Sequence, residues 1–459
     1  MPVLSKVMFR AYDIRGKVDE ELTPEVAEII GKAFGTYIQA KDGPRLAVGY
    51  DNRTSSPCLH HAFIEGARST GCGVTDIGLA TSPMLYFAVH RLGADGGVNI
   101  TGSHNPVEYN GIKMTGRAAR AIAEDEIQQI WRIADSGEFA HGKGELERRS
   151  VVDDYVAALV ERGNLQRRLK ICVDCGNGTA SPFAPQVLRR IGCEVVELYC
   201  VSDGTFPHHL PDPEVEDTLR DLQELVLKEK ADLGVAFDGD CDRVGIIDEQ
   251  AKRHEADELM ILLARDFLRK HPGERVMMDV KSSQTLIDDI KAHGGEPVMY
   301  KTGHSLIKRK MKEDGILMAG EVSGHMFFAD EYYGFDDGLY SAVRFLSVIS
   351  HDNRPLSQMW DGVPQTYHTP ELKAPTPEAD KFRVVQEVKE YFAQHYPVVE
   401  IDGVRISFPE GWALVRASNT NPYLTLRFEA KTPQGLAQEK EVVYKKLSEY
   451  PSVKLPEGS

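Results

Sequence analysis

Apolar and polar positions in the first hundred residues alternate between helical and strand-like periods. Thr23 and Pro24, a helix cap followed by a first-turn proline, precede apolar residues at helical spacing. Short apolar runs between the helical stretches are typical of buried strands. The pattern predicts, in order, a helix at 25–38, a strand at 45–51, a helix at 57–70, and strands at 73–79 and 97–100. Strands and helices that alternate in this way indicate βαβ units and a mostly parallel sheet.

The strand pattern of residues 45–51, a basic residue followed by an apolar run and an aspartate, occurs again at 170–174 and 275–279. The loops that follow later strands repeat more closely. Residues 94–103 (ADGGVNITGS) align without gaps on 231–240 (ADLGVAFDGD), which places Ser103 opposite Asp240.

A looser third copy of this loop covers residues 314–325 (DGILMAGEVSGH). Ligands of open α/β sheets bind outside the carboxyl ends of the strands. Three α/β units with polar loops at equivalent strand ends therefore suit one shared site.

The composition changes after residue 361. Prolines at 364, 370, 375 and 377 predict a linker between domains. A helix at about 378–395, short strands at 398–430 and a helix at 434–449 then predict a smaller α+β unit. We expect an α/β fold of three similar mixed-sheet α/β/α domains and a smaller α+β C-terminal domain. The boundaries that we predict are 1–148, 149–251, 252–364 and 365–459.

The charge of the chain narrows the range of partners. A net charge of −16 argues against a nucleic-acid surface and against an anionic membrane. An anionic substrate would need a local cluster of basic groups, since the overall field repels it. The N-terminus carries no apolar core of signal-peptide length and no stretch is long enough to span a bilayer. We therefore expect a cytoplasmic protein, and nothing in the sequence indicates an obligatory protein partner.

The seven cysteines do not form a disulfide pattern, because their number is odd and they are scattered along the chain. Cys172 and Cys175 do have the C-x-x-C spacing of a redox pair. However, Cys172 lies inside a strand pattern, whereas a redox pair usually opens a helix. We therefore do not assign a redox function to this spacing.

The strongest chemical signal is residues 238–243 (DGDCDR). Asp238, Asp240 and Asp242 after a buried strand would repel one another unless a cation lies among them. Oxygen-only ligands select a hard cation, and Mg²⁺ is usual where phosphate completes the shell. The alternative is a solvated acidic turn.

Residues 101–106 (TGSHNP) would be an ordinary turn by their composition alone. The alignment with the aspartate loop instead favours Ser103 as a nucleophile or phosphoryl carrier. Cationic groups that could hold a phosphorylated ligand are Arg15, Lys113, Lys281 and His304.

Two later loops carry groups that suit a sugar phosphate. Glu321 and Ser323 suit hydrogen bonding to vicinal sugar hydroxyls, whereas phosphate oxygens suit Arg416, Ser418, Asn419 and Thr420. No Walker A motif marks a nucleotide as the phosphoryl donor. The residues thus predict phosphoryl transfer on a sugar phosphate.

Four motifs in order resemble those of the α-D-phosphohexomutase superfamily, in particular its bacterial phosphomannomutase/phosphoglucomutase branch. The motifs are residues 101–106 (TGSHNP), 238–243 (DGDCDR), 320–325 (GEVSGH) and 416–420 (RASNT). The resemblance covers essentially the whole chain. It departs from the family pattern at Cys241, where a glycine is common, and at Asn421, where residues vary.

The resemblance implies four domains around a central cleft and a role for each motif. Ser103 would be the phosphoserine of the resting enzyme and, with Asp238, Asp240 and Asp242, would bind one Mg²⁺ ion. The implied catalytic residues are Ser103, His104, Lys113, Arg15 and His325. The implied substrate-binding residues are Tyr12, Arg243, Lys281, His304, Glu321, Ser323, Arg416, Ser418, Asn419 and Thr420.

The implied reaction interconverts hexose 1-phosphate and hexose 6-phosphate of mannose, glucose or both. Phosphoserine would give its phosphoryl group to the substrate, and the hexose 1,6-bisphosphate formed would turn in the cleft and return its other phosphate. The general acid and base stay open among Lys113, His325, His304 and Arg15.

Three alternatives stay open from the sequence. Phosphoglucosamine mutases resemble this chain but usually carry alanine and glutamine where it has Gly102 and Val322. A magnesium-dependent phosphatase would use Asp238 as its nucleophile, and a silent sugar-phosphate-binding protein would keep the ligands without turnover.

Overall fold

The computed structural model describes residues 4–122, 124–418 and 421–456. The chain forms two compact units, one made of Met1–Phe267 and His304–Met359, the other of Leu268–Gly303 and Trp360–Ser459.

The first sheet of the first unit is mixed, with strand order β1-β5-β4-β2-β3-β6. Strand β2 pairs in parallel with both β3 and β4, whereas β5 is antiparallel to β4 and β1. The strands are β1 Ile14–Lys17, β2 Arg45–Tyr50, β3 Gly73–Leu79, β4 Gly96–Ile100, β5 Tyr109–Gly116 and β6 Leu146–Arg148. The helices are α1 Pro24–Lys41, α2 Ser56–Ser69, α3 Ser82–Leu92 and α4 Asp125–Ser136, with a 3₁₀ helix at Lys6–Met8 and another at Arg117–Ala119.

The first helix forms where the sequence predicts it. Its cap, Thr23, accepts a hydrogen bond from the backbone N–H of Val26, and Pro24 opens the first turn. Ile30 and Phe34 of α1 pack with Phe63 of α2 and Val48 of β2 in one buried cluster. This core fixes the strand ends that carry the polar loops.

The second sheet has the order β11-β10-β9-β7-β8. Its strands are β7 Lys170–Asp174, β8 Glu194–Leu198, β9 Leu233–Phe237, β10 Val244–Asp248 and β11 Arg253–His254. The helices are α5 Val152–Arg162, α6 Ala184–Arg190 and α7 Arg220–Glu229, with a 3₁₀ helix at Glu216–Leu219.

The two sheets repeat the same central arrangement. Strand β9 pairs in parallel with β7 and antiparallel with β10, as β4 does with β2 and β5. In the gapless alignment of residues 94–103 on 231–240, the first and last residues of β4 fall on those of β9. The predicted repeat is therefore confirmed for these two strands.

The elements between residues 256 and 358 complete the part of the chain that carries the third loop. They are α8 Ala256–Lys270, β12 Arg275–Asp279, α9 Gln284–Ala292, β13 Glu296–Tyr300, α10 His304–Asp314, β14 Met318–Gly320, β15 Met326–Phe328, α11 Gly338–Ile349 and a 3₁₀ helix at Leu356–Gln358. In the second unit, β12 is parallel to β13. In the first unit, β14 is antiparallel to β15.

The C-terminal part of the second unit is an antiparallel sheet of order β16-β21-β20-β19-β18, with β17 also pairing with β21. Its strands are β16 Tyr367–His368, β17 Leu372–Pro375, β18 Val398–Val399, β19 Val404–Ser407, β20 Gly411–Ala417 and β21 Tyr423–Ala430. Its helices are α12 Glu378–Phe392 and α13 Pro433–Leu447.

The prediction of a linker after residue 361 is wrong for Leu372–Pro375. Residues Leu372–Pro375 form β17, in which Leu372 and Ala374 are buried and pair with β21. Among the described strands β17 pairs with β21 alone, and such an edge strand tolerates the missing N–H of Pro375. Among the described residues, no helix is both long and apolar enough to cross a membrane.

Candidate active site

Ser103 lies in the loop that follows β4. Its backbone has a φ of 51°, in the left-handed region, and its side chain is buried. The Oγ atom donates a hydrogen bond to Asp238 Oδ2 at 3.1 Å and lies 3.1 Å from His104 Nδ1. A non-glycine residue in this region is strained, and the conformation persists only where the surrounding structure holds it.

Arg53 supplies much of that support. Its guanidinium group is buried and donates to the backbone carbonyls of Ser103 and Asn105 at 2.8 and 2.6 Å. It also donates to the carbonyls of Pro106 and Tyr109 at 2.9 and 3.0 Å. One buried side chain thus binds four carbonyl groups between residues 103 and 109, the serine loop.

Asp51 and Gly102 complete this support. Asp51, which directly follows β2, accepts hydrogen bonds from the backbone N–H of Gly102 at 3.0 Å and from Ser56 Oγ at 2.5 Å. A Cβ atom at Gly102 would lie 2.4 Å from Arg53 Nε, so only glycine fits beside the guanidinium group.

The three predicted acidic ligands are close together and buried. Asp238, Asp240 and Asp242 each offer a carboxylate oxygen, and these oxygens lie within 4.8 Å of one another. Burial, and then the charges of Asp242 and Asp240, raise the pKa of Asp238 well above its usual range. The Oδ1 atoms of Asp240 and Asp242 are buried without a hydrogen-bond partner among the described residues. This donor set fits a hard divalent cation.

Lys113, on β5, lies against the same carboxylates. Its Nζ atom donates to Asp240 Oδ2 at 2.6 Å and to Asp242 Oδ2 at 2.5 Å. Burial opposes the charge, but Asp240 and Asp242 outweigh burial and raise the pKa of Lys113 well above its usual range. Ser82, the first residue of α3, also donates to Asp240 Oδ2, at 2.5 Å.

Arg243 extends the cationic side of the site. Its backbone N–H donates to Asp238 Oδ1 at 3.2 Å, and its Nε donates to His325 Nε2 at 3.0 Å. Its guanidinium group also pairs with Glu214. Burial opposes the charge, but Glu214 and Asp238 outweigh it and raise the pKa of Arg243.

His304 and His325 are stacked, with ring centroids 5.0 Å apart. The Nδ1 atoms of His304 and His325 lie 3.2 and 3.0 Å from Asp336 Oδ2, and Tyr12 contacts His304 edge-on. Burial lowers the pKa of His304 to about 4, although Asp336 opposes this shift. His304 is therefore neutral at neutral pH.

Two further predicted residues are His104, which follows Ser103 in the loop, and Arg15, whose charge acts on His104. Burial, and then the charges of Arg243 and Arg15, hold the pKa of His104 well below its usual range. Arg15 Nε donates to Asp13 Oδ2 at 2.6 Å. Burial opposes the charge of Arg15, but Asp13 outweighs it and raises the pKa of that guanidinium group.

The loop predicted to bind the sugar, which carries Glu321 and Ser323, follows β14. Glu321 is buried, and its backbone N–H donates to the carbonyl of His325 at 2.9 Å. Ser323 is half-buried between Glu321 and Gly324. The loop is thus closed on His325.

The remaining described candidates lie in the second unit. Lys281 Nζ donates to Glu371 Oε2 at 3.0 Å, and Arg416 Nε donates to Asp402 Oδ2 at 3.0 Å. Ser418 is buried, and its carbonyl accepts a hydrogen bond from Lys381. Asn419 and Thr420 lie outside the described residues.

Several residues that sequence reasoning missed hold this site together, namely Asp51, Arg53, Ser82, Glu214 and Asp336. Asp51 is the last residue of a predicted strand, and this position at a strand end could have indicated a role in the site. The other four carry no motif, since their contacts depend on tertiary structure.

The aspartate spacing also resembles that of a calcium loop, because Glu249 is the twelfth residue counted from Asp238. The structure excludes that interpretation. Val244–Asp248 form strand β10, and Glu249 accepts a hydrogen bond from Ser357 Oγ at 2.5 Å. Glu249 therefore does not belong to the triad.

Ser103 follows one strand and lies against a buried aspartate triad, which follows the equivalent strand of a repeated unit. This arrangement defines the class of protein. This is an α/β phosphoryl-transfer enzyme whose acidic triad could hold a metal ion.

Comparison with known proteins identifies the family. Models of the phosphoglucomutase/phosphomannomutase family match in order: alpha/beta/alpha domain I at residues 6–141, domain II at 153–252, domain III at 255–367 and the C-terminal domain at 371–446. The chain belongs to the phosphoglucomutase/phosphomannomutase family.

Individual relatives cover nearly the whole chain. A phosphomannomutase/phosphoglucomutase of Pseudomonas aeruginosa is 43% identical over 97% of this chain and 96% of its own. A phosphoglucomutase of Neisseria meningitidis is 41% identical over 95% of each chain. The crystal structure of a phosphoglucomutase/phosphomannomutase family protein from Burkholderia thailandensis is similar with a TM-score of 0.93, at 38% identity, over 99% of this chain and 100% of its own.

Proposed function

We propose that the protein is a phosphomannomutase/phosphoglucomutase that reversibly interconverts hexose 1-phosphate and hexose 6-phosphate. The reaction proceeds through a phosphoserine enzyme and a hexose 1,6-bisphosphate intermediate, which also serves as activator. The observation that carries the assignment is the 3.1 Å hydrogen bond from Ser103 Oγ to Asp238, within a buried acidic triad.

Ser103 carries the phosphoryl group in this proposal. Asp238, Asp240 and Asp242, together with Ser103, hold one Mg²⁺ ion. The ion, when bound, neutralises charge on the transferred phosphoryl group. Lys113 lies against Asp240 and Asp242 as a fixed cation. Arg243, whose backbone N–H donates to Asp238, adds a second positive charge nearby.

Proton transfer uses the buried bases and cations around the serine loop. His304 is neutral and can accept a proton, whereas Lys113 is held as an ammonium group. His104, Arg15 and His325 complete the proposed catalytic set.

We assign substrate-binding residues in each unit separately. In the first unit, Tyr12, Arg243 and His304 contact the substrate, and Glu321 and Ser323 bind its sugar hydroxyls. In the second unit we assign Lys281 and the loop of Arg416, Ser418, Asn419 and Thr420 to the non-reacting phosphate.

The contact between Gly102 and Arg53 supports a hexose rather than an amino-sugar substrate. Phosphoglucosamine mutases usually carry alanine at the position of Gly102. Here a Cβ atom at that position would also lie 2.9 Å from the carbonyl oxygen of Tyr109. The alanine would thus disturb the support of the serine loop.

Further properties follow from this assignment. We propose domain boundaries at 1–148, 149–251, 252–364 and 365–459, a cytoplasmic location, and hexose phosphates as the only partners that function requires.

A direct assay tests the assignment. Purified protein with Mg²⁺ and a trace of hexose 1,6-bisphosphate is given glucose 1-phosphate, mannose 1-phosphate or glucosamine 1-phosphate. We expect the 6-phosphates of glucose, mannose or both, and loss of activity in Ser103→Ala. Ser136→Ala is the matched control, because Ser136 is exposed at the end of α4.

Three outcomes would contradict the assignment. Exclusive use of the amino sugar would favour phosphoglucosamine mutase. Release of inorganic phosphate without isomerisation would favour a phosphatase. Active protein without phosphate on Ser103 by peptide mass spectrometry would exclude the phosphoserine route.

A further inference from the structure

Two cysteine side chains are in contact behind the metal-binding loop. The Sγ atoms of Cys175 and Cys200 lie 3.3 Å apart. Cys175 directly follows β7, and Cys200 comes two residues after β8, the parallel neighbour of β7. The register pairs Asp174 with Leu198, so the sheet itself brings the two thiols together.

This pair is not the one that the C-x-x-C spacing suggests. Cys172 lies within β7 and packs into a buried apolar cluster with Leu222 and Val226. Cys175 lies beyond the end of that strand, and its Sγ atom is 3.3 Å from that of Cys200. Cys175 therefore faces Cys200 and not Cys172.

The two thiols differ in how a small oxidant reaches them. Cys175 is buried, whereas Cys200 is half-buried. The Cys200 sulfur lies 3.3 Å from the carbonyl oxygen of Leu198 and 3.4 Å from that of Val173. An oxidant from solvent would therefore meet Cys200 first.

We propose that Cys175 and Cys200 are an oxidation site at which a hydroperoxide forms a reversible intramolecular disulfide. The Cys200 thiolate attacks the peroxide, the O–O bond breaks, and a sulfenic acid forms with release of water or alcohol. The Cys175 thiol then displaces the hydroxyl group of the sulfenic acid, the S–S bond forms, and water leaves. The peroxide is reduced by two electrons and the two thiols are oxidised to one disulfide.

Hydrogen bonds and a close backbone approach connect the Cys175 segment to the loops that carry Gly239 and Ser103. The Cys175 carbonyl accepts a hydrogen bond from the N–H of Gly178, and Thr179 N–H donates to the carbonyl of Gly239 at 3.0 Å. Gly239 in turn lies against Ser103, since a Cβ atom at Gly239 would be 2.2 Å from the Ser103 carbonyl oxygen.

The Sγ–Sγ distance must shorten from 3.3 Å to a disulfide bond length of about 2.05 Å, and we expect the Cys175 backbone to take up part of this movement. A displacement of about 1 Å at a catalytic centre can cost about a hundredfold in rate. We therefore expect oxidation to remove most of the mutase activity, and a thiol reductant to restore it.

Trypsin provides a sharp assay, because its sites place the two cysteines on separate peptides. Residues 171–189 contain Cys172 and Cys175, and residues 191–220 contain Cys193 and Cys200. The native full-length protein is treated with hydrogen peroxide, alkylated, digested without reduction and examined by mass spectrometry. We expect the two peptides joined, with loss of two hydrogen atoms.

Variants assign the pair and separate its effect from other oxidation. Cys200→Ser and Cys175→Ala should both abolish the joined peptide and keep activity in peroxide. Cys172→Ser and Cys193→Ser should retain the joined peptide, and Cys58→Ser removes the exposed thiol as a further control.

Each remaining outcome overturns the proposal. Separate peptides after peroxide would exclude the disulfide, as would a joined peptide that persists in Cys200→Ser. A joined peptide in fully active protein would exclude the effect on the catalytic loops. Activity loss that is equal in wild type and Cys200→Ser would assign the inactivation to another residue.

Discussion

At the scale of single residues, the serine loop depends on a contact that no motif contains. Arg53 fills the space beside Gly102 and fastens four carbonyl groups of the loop. Gly102→Ala places a Cβ atom 2.4 Å from Arg53 Nε, so the guanidinium group must move. We expect kcat to fall by about tenfold to a hundredfold, because the position of Ser103 is lost.

Gly73→Ala is the matched control for this experiment. Gly73 begins β3, and a Cβ atom there meets nothing within 4 Å. Steady-state kinetics and thermal melts of both variants separate positioning from folding. Full activity of folded Gly102→Ala would show that Arg53 does not position Ser103.

At the scale of elements, the sequence predicts helices and strands with a clear apolar period, and it predicts the repeated strands. The helix at 25–38, the strand at 73–79 and the correspondence of β4 with β9 are confirmed. Arg53 and Asp336 could not be predicted, because their partners lie far away in the chain. The strand β17 in the proline-rich segment could not be predicted for the same reason, because it forms by pairing with the distant strand β21.

Helix α13 contains a glutamate, Glu439, at one of its buried positions. Its buried positions recur every four residues, at Gly435, Glu439, Val443 and Leu447. Both carboxylate oxygens of Glu439 are buried without a hydrogen-bond partner among the described residues. Burial, and then Glu410 and Glu429, raise the pKa of Glu439 from an ordinary 4.5 to about 7.

This shift fixes the sign of a pH effect. The folded protein holds the Glu439 proton up to about pH 7, whereas the unfolded chain loses it near 4.5. Stability therefore falls as the pH rises through this window. We expect Glu439→Gln to raise the free energy of unfolding by about 1–2 kcal/mol near pH 8, and by little near pH 4.5.

Thermal melts across this pH range, compared with those of the wild type, measure the effect. Glu441→Gln is the control, because Glu441 is exposed two residues further along α13. A difference between Glu439→Gln and wild type that does not change with pH would contradict the assignment of the charge to Glu439.

At the scale of the whole molecule, a chain with a net charge of −16 must concentrate its cations where phosphate binds. Around the serine loop it does so with Arg15, Lys113 and Arg243, and it sets a buried aspartate triad among them. Such a triad ties metal affinity to the charge on Ser103, because a phosphate there adds a charge of about −1.5 to −2 and further oxygen ligands.

We therefore expect the phosphorylated protein to bind Mg²⁺ more tightly than the dephosphorylated protein. Ligand binding to the folded state stabilises it by about 2.7 kcal/mol at 100 times the Kd. Removing Mg²⁺ with EDTA should abolish activity and lower the Tm, and readdition should restore both. Titration of the Tm with Mg²⁺ in phosphorylated wild type, dephosphorylated wild type and Asp240→Asn measures the three affinities, with Asp217→Asn as an exposed control. Equal affinity in the two phosphorylation states would place the cation away from Ser103.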